Sequence, residues 1–194
     1  MTRVVLAANN ADIGGGEVML LGTARVLRAL GVQVLVVGPD AAGGVLDAAE
    51  EDDLPVVRMA AGRRRYLAQL RSWHGRSDDW MWCHGLVPAF ATAGRTRRIV
   101  HLHQEPLGSH RPAARAARAG AAATLVPSRS LQARVPGSSV LWNWTDPLPV
   151  LGARTPRRPV RLGFIGRHST DKGLDVLARS VALLDGTEPG GWRL

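Results

Sequence analysis

The sequence predicts an α/β protein, a parallel β-sheet covered by helices on both faces. Three observations point there. Short continuous apolar runs, such as VVLAA at 4–8, QVLVV at 33–37 and WMWC at 80–83, lack the polar alternation of a half-exposed strand, so they fit strands buried on both faces. Stretches with helical spacing separate them. The rhythm then breaks over residues 146–159 and restarts. The expected organisation is a doubly wound, Rossmann-like domain over residues 1–145, a linker over 146–159, and the first βα unit of a second, truncated Rossmann-like domain over 160–194.

In chain order, residues 3–8 form the first strand and the glycines at 14–16 follow it. A helix over 15–30 carries Leu20, Ala24, Leu27 and Leu30 on one face. Gly31 stands where a helix C-cap glycine belongs. The second strand, 33–37, is ended by Gly38-Pro39-Asp40. Further strands are expected at 56–59, 80–83, 98–102, 123–126 and 139–142, with Ala- and Arg-rich helices near 63–74, 86–93, 110–119 and 128–135. The linker, DPLPVLGARTPRRP, holds four prolines and a glycine. A strand over 160–165, a turn over 166–171 and a helix over 172–184 follow, and residues 191–194 begin another strand. One strand and one helix cannot bury their apolar faces alone, so the second domain is expected to be cut short.

Composition narrows the function classes. A single cysteine, Cys83, excludes an internal disulfide and a multi-cysteine zinc site and suits a reducing cytoplasm. The N-terminus lacks the charged start and apolar run of a signal peptide, and no apolar run approaches the roughly 18 residues of a membrane span. The net charge of +9 invites nucleic acid or an anionic surface as partner. The arginines are dispersed, however, with no interleaved aromatics and no nucleic-acid-binding motif, so no nucleic acid is expected. The expected location is cytoplasmic, with peripheral contact at the inner membrane face, because the arginine patches suit anionic substrates or lipid headgroups.

Two glycine-rich segments carry the chemistry. Gly14-Gly15-Gly16-Glu17 joins the first strand to the first helix, where free backbone N–H groups favour a phosphate or carboxylate. Met19 occupies the place of the third glycine of a dinucleotide fingerprint, which disfavours a nucleotide-dependent dehydrogenase. The second segment is Gly163, Gly166, Arg167 and Lys172-Gly173. Of 25 basic residues, Lys172 is the one lysine. Arginine offers a bidentate fork and lysine a compact point charge, and both suit a departing diphosphate. Chance survival of one lysine on an exposed helix start fits the spacing equally well. Ser128 opens a helix and reads as an N-cap. His101 and His103 share a strand face, but no third ligand stands out, so no metal is expected. His84 ends a strand and could line the same crevice.

These segments, in this order, carry a resemblance: Gly15-Gly16-Glu17, His101-Leu102-His103-Gln104-Glu105-Pro106, Val126-Pro127-Ser128, Asn143 to Asp146, and GFIGR at 163–167 with Lys172-Gly173. The chain resembles glycosyltransferase family four, retaining enzymes of the GT-B fold, with the last motif the most specific. The resemblance implies transfer of a hexose from a nucleotide-diphosphate sugar donor to a saccharide, lipid-linked or other hydroxyl acceptor, with no further cofactor and no metal. It implies that Arg167 and Lys172, with Gly15 and Gly16, bind the donor diphosphate, and that His103 faces the transferred sugar as the catalytic residue. Glu17, His84, Asn143 and Gly166 are expected to line the cleft. Trp144 departs from the family's Asn-Gly-x-Asp turn, and the family's paired glutamates, eight positions apart, have no counterpart here. The chain alone is therefore expected to be nearly inactive. The rival readings are a non-catalytic Rossmann-like binding module and the dehydrogenase.

Overall fold

The computed structural model describes residues 3–108, 110–145, 147, 149, 152, 160–166, 170–184 and 192–193. The chain divides into two compact units, Met1–Asp146 and Pro147–Leu194.

The first unit alternates strands and helices: β1 (Arg3–Ala7), α1 (Gly15–Ala29), β2 (Gln33–Pro39), α2 (Val45–Glu51), β3 (Val56–Met59), α3 (Arg63–His74), β4 (Trp80–His84), α4 (Leu86–Ala91), β5 (Arg98–His101), α5 (His110–Arg118), β6 (Ala123–Val126), α6 (Arg129–Arg134) and β7 (Ser139–Val140). All seven strands pair in parallel, in the order β3-β2-β1-β4-β5-β6-β7. This is the doubly wound, Rossmann-like architecture, and its strand order reverses between β1 and β4.

The continuous apolar strands are explained by two cores, one on each face of the sheet. Leu6, Ala8, Val34 and Val36 pack against Leu20, Leu21 and Ala24 of α1 and Val45, Leu46 and Ala49 of α2. Val5, Ala7, Cys83 and Val100 face the opposite way, onto Tyr66 and Leu70 of α3, Ala89 of α4, Ala117 of α5 and Leu131 of α6. Successive strand residues therefore both enter apolar surroundings. Tyr66 also donates its hydroxyl to the Ala8 carbonyl at 2.7 Å, fastening α3 to the end of β1.

Helix ends follow local chemistry. Gly31 has φ +79°, its N–H bonds to the Arg28 carbonyl, and the Val32 N–H reaches back to Leu27. This paired closure is the Schellman arrangement that the glycine signalled. Ser128 caps α6, its hydroxyl accepting from the Leu131 N–H at 3.1 Å.

Four elements differ from the sequence expectation. α2 was not anticipated, because seven residues behind Gly43-Gly44 give too short a period to read. β7 stops at Val140, and the strand expected over 160–165 pairs only as β8 (Val160–Arg161). The helix expected from residue 172 starts later: Thr170–Lys172 form a 3-10 turn and Gly173, at φ +76°, separates it from α7 (Leu174–Leu184).

In the second unit, β8 pairs in parallel with β9 (Trp192–Arg193). Val181 of α7 is buried, while Val176 and Leu183 of the same helix are exposed. Among the described residues, no helix is long and apolar enough to cross a membrane.

Candidate functional site at the carboxyl edge of the sheet

In doubly wound sheets ligands are taken where the strand order reverses, beyond the carboxyl ends of the neighbouring strands. Here the loops after β1, β4 and β5 meet. Asn9, just past β1, accepts the Val87 N–H at 3.0 Å through its side chain, which caps the start of α4. The same side chain fills the space beside Gly85, where an added Cβ would sit 2.5 Å from Asn9 Oδ1 and φ is +105°. Only glycine fits both demands at position 85. Asn9 thus locks two crevice loops together.

Three histidines cluster at this edge. His84 ends β4 and lies opposite His101 of β5 in the parallel register. His103, two residues further on, returns to the same side. Ring centroids are 5.3 Å apart for His84–His101, 4.1 Å for His101–His103 and 5.4 Å for His84–His103. His84 Nδ1 and His103 Nε2 are hydrogen-bonded at 3.2 Å. Trp82, two residues before His84, stacks on its ring at 5.8 Å.

The cluster is withdrawn from water. His84 and His101 are buried and His103 is half-buried. Burial, aided by the neighbouring His103, pushes His101 down to about 3. Burial alone brings His103 down to about 4, and His84 is held well below its ordinary value by burial and then by His101 and His103. All three rings are therefore neutral near pH 7, each with one N–H and one lone pair. In His103, Nε2 is engaged by His84, and Nδ1 is buried without a hydrogen-bond partner.

Gly16 connects the histidines to α1. A Cβ added at Gly16 would lie 3.1 Å from the His103 ring, so the missing side chain is what lets the ring reach the head of the helix. Gly15 is exposed beside it, with open space where a Cβ would be. Glu17 does not line the cleft as the sequence suggested. It is buried, and its carboxylate turns back to accept from the N–H groups of Gly14 and Asn10 at 3.2 and 3.3 Å. It closes its own loop and already occupies part of the positive helix end.

The remaining predicted residues lie elsewhere. Asn143 is exposed on the segment after β7, next to Trp144, whose indole lies against Gly22 of α1. In the second unit, Gly166 and Lys172 are close: a Cβ at Gly166 would be 3.7 Å from the Lys172 Cβ. Lys172 is exposed at the end of the 3-10 turn. Arg167 and Asp146 lie outside the described residues.

The structure thus brings together Gly16, His84 and His103, adds His101 and Asn9, and turns Glu17 away. His101 and His103 were legible as a same-face pair. His84 needed the β4–β5 register, which no local pattern carries.

No protein-family model matches the sequence, and no curated protein matches it either. Among solved structures, the chain matches the crystal structure of Anabaena Alr3699/HepE in complex with UDP-glucose, with a TM-score of 0.59 and 20% identity. The likeness establishes a shared fold. The match covers 75% of this chain but 45% of the other, so the chain spans less than half the length of the structure it resembles.

Proposed function

We propose that the chain is part of a GT-B glycosyltransferase, similar to glycosyltransferase family four, that moves a hexose from a nucleotide-diphosphate sugar to an acceptor hydroxyl with retention. The observation that carries this reading is the contact of Gly16 with His103 at the strand-order reversal, where doubly wound sheets take their ligands. The fold shared with a protein whose crystal structure holds UDP-glucose supports the same donor class.

In this reading the first unit forms the acceptor side and the second begins the donor side. Lys172 and Arg167 hold the diphosphate. The bond from the anomeric carbon to the diphosphate oxygen breaks, and the acceptor oxygen bonds to that carbon from the same face. The acceptor proton passes to a diphosphate oxygen, and the two cations stabilise the negative charge that gathers there. Gly15 and Gly16 let backbone N–H groups approach an oxygen of donor or acceptor. His103, neutral, faces the transferred sugar. The acceptor is a saccharide, a lipid-linked or another hydroxyl compound; the many arginines suit an anionic or lipid-borne one and, with it, peripheral membrane contact on the cytoplasmic side. The 194-residue chain alone transfers little or no sugar.

The test uses the native protein at whatever length its source cell makes it. Calorimetric titration with uridine and guanosine diphosphate hexoses and with NAD should show binding of a sugar nucleotide and none of NAD. Lys172→Ala should weaken that binding at least about tenfold, the loss expected when a charge-assisted contact to phosphate is removed. Binding of NAD alone would replace this reading with a dehydrogenase, and binding of none would favour a non-catalytic module.

A further inference from the structure

We propose that His84, His101 and His103 form a binding site for a transition-metal dication of the zinc class. This goes beyond the transferase reading, with which it shares His103; in that reading the donor diphosphate is served by Arg167 and Lys172.

Geometry carries the inference. One nitrogen from each of the three rings can be chosen so that all lie within 4.8 Å of one another. Two nitrogens held tetrahedrally at zinc–nitrogen bond lengths sit about 3.3 Å apart. His84 Nδ1 and His103 Nε2 already stand at 3.2 Å. Binding would draw a His101 nitrogen inward from at most 4.8 Å to the same spacing. The rings come from one register pair, His84 and His101, and from the residue two places on, so rigid strands hold two of the three ligands.

A second observation points to a ligand. His101 is fully buried, and neither of its ring nitrogens has a hydrogen-bond partner. An imidazole nitrogen that has given up water without a replacement is costly, and coordination through one His101 nitrogen would remove part of that cost.

The donor set also defines the class of metal. Three imidazoles offer nitrogen donors and no charge, which suits zinc, cobalt, nickel or copper and disfavours magnesium and calcium. Three protein ligands leave a coordination position for a water or a ligand oxygen.

The test is a titration of the chelator-treated full chain with Zn²⁺ against a chromophoric competitor. One equivalent should bind, Mg²⁺ and Ca²⁺ should not compete, and Co²⁺ should give the visible absorption of a low-coordinate nitrogen site. His84→Gln and His103→Gln should each weaken Zn²⁺ binding at least about tenfold, while His110→Gln, an exposed control, should not. Where a variant fails to fold, histidine-ring NMR of the wild type decides: Zn²⁺ should shift the resonances of His84, His101 and His103 and leave His110 in place. Absence of stoichiometric binding, wild-type affinity in both folded variants, or unshifted rings would overturn the proposal.

Discussion

Arg98 illustrates what a single residue can hide. In the sequence it belongs to an arginine-rich stretch at 95–98 that reads as exposed surface. In the fold it is fully buried, and its guanidinium donates to the carbonyls of Ala89, Arg95, Ala117 and Ala119 and to the Thr92 hydroxyl. Ala89 and Thr92 lie at the end of α4, and Ala117 and Ala119 at the end of α5. One cation therefore binds carbonyls at the ends of two helices and opposes their negative poles. Arg98→Met should destabilise the fold by about 3 kcal/mol, because several buried acceptors lose their donor at once. Urea unfolding followed by circular dichroism measures this, and an unchanged midpoint would deny the role. Nothing local in the sequence marks Arg98, since its partners come from two helices and a loop. Glu17 teaches the same lesson: the resemblance set it in the cleft, and its carboxylate is used on the loop itself.

At the scale of elements, local signals were legible where they are carried by a few consecutive residues. Gly31 closes α1 as read, and Ser128 caps α6 as read. Ser128→Ala should cost about 1 kcal/mol, since the Leu131 N–H loses its acceptor. Ser128→Asp should keep most of the stability, because a carboxylate accepts the same bond and suits the helix start. Thermal denaturation of the two variants separates capping from any other use of the hydroxyl. The strands were legible because both sheet faces are covered, which makes each one a continuous apolar run. α2 was not, because its buried positions, Val45, Leu46 and Ala49, span barely one turn. The start of α7 was misjudged for a related reason, as the backbone turn at Gly173 depends on φ rather than on polarity.

At the scale of the molecule, the parallel architecture could be read from the sequence, while the meeting of its loops could not. Gly16 and His103 are 87 positions apart in the chain and touch because β1, β4 and β5 are adjacent in the sheet. The resemblance named both residues separately, and the fold makes them one place. His84 joins them through a register that only pairing creates. In the proposed function this place receives a sugar nucleotide. The most direct measurement is histidine-ring NMR of the native protein as UDP-glucose is added. A sugar nucleotide bound there should shift the His103 resonances saturably and leave exposed His110 unmoved. Saturable binding that leaves His103 unshifted, or no binding of any nucleotide hexose, would contradict it.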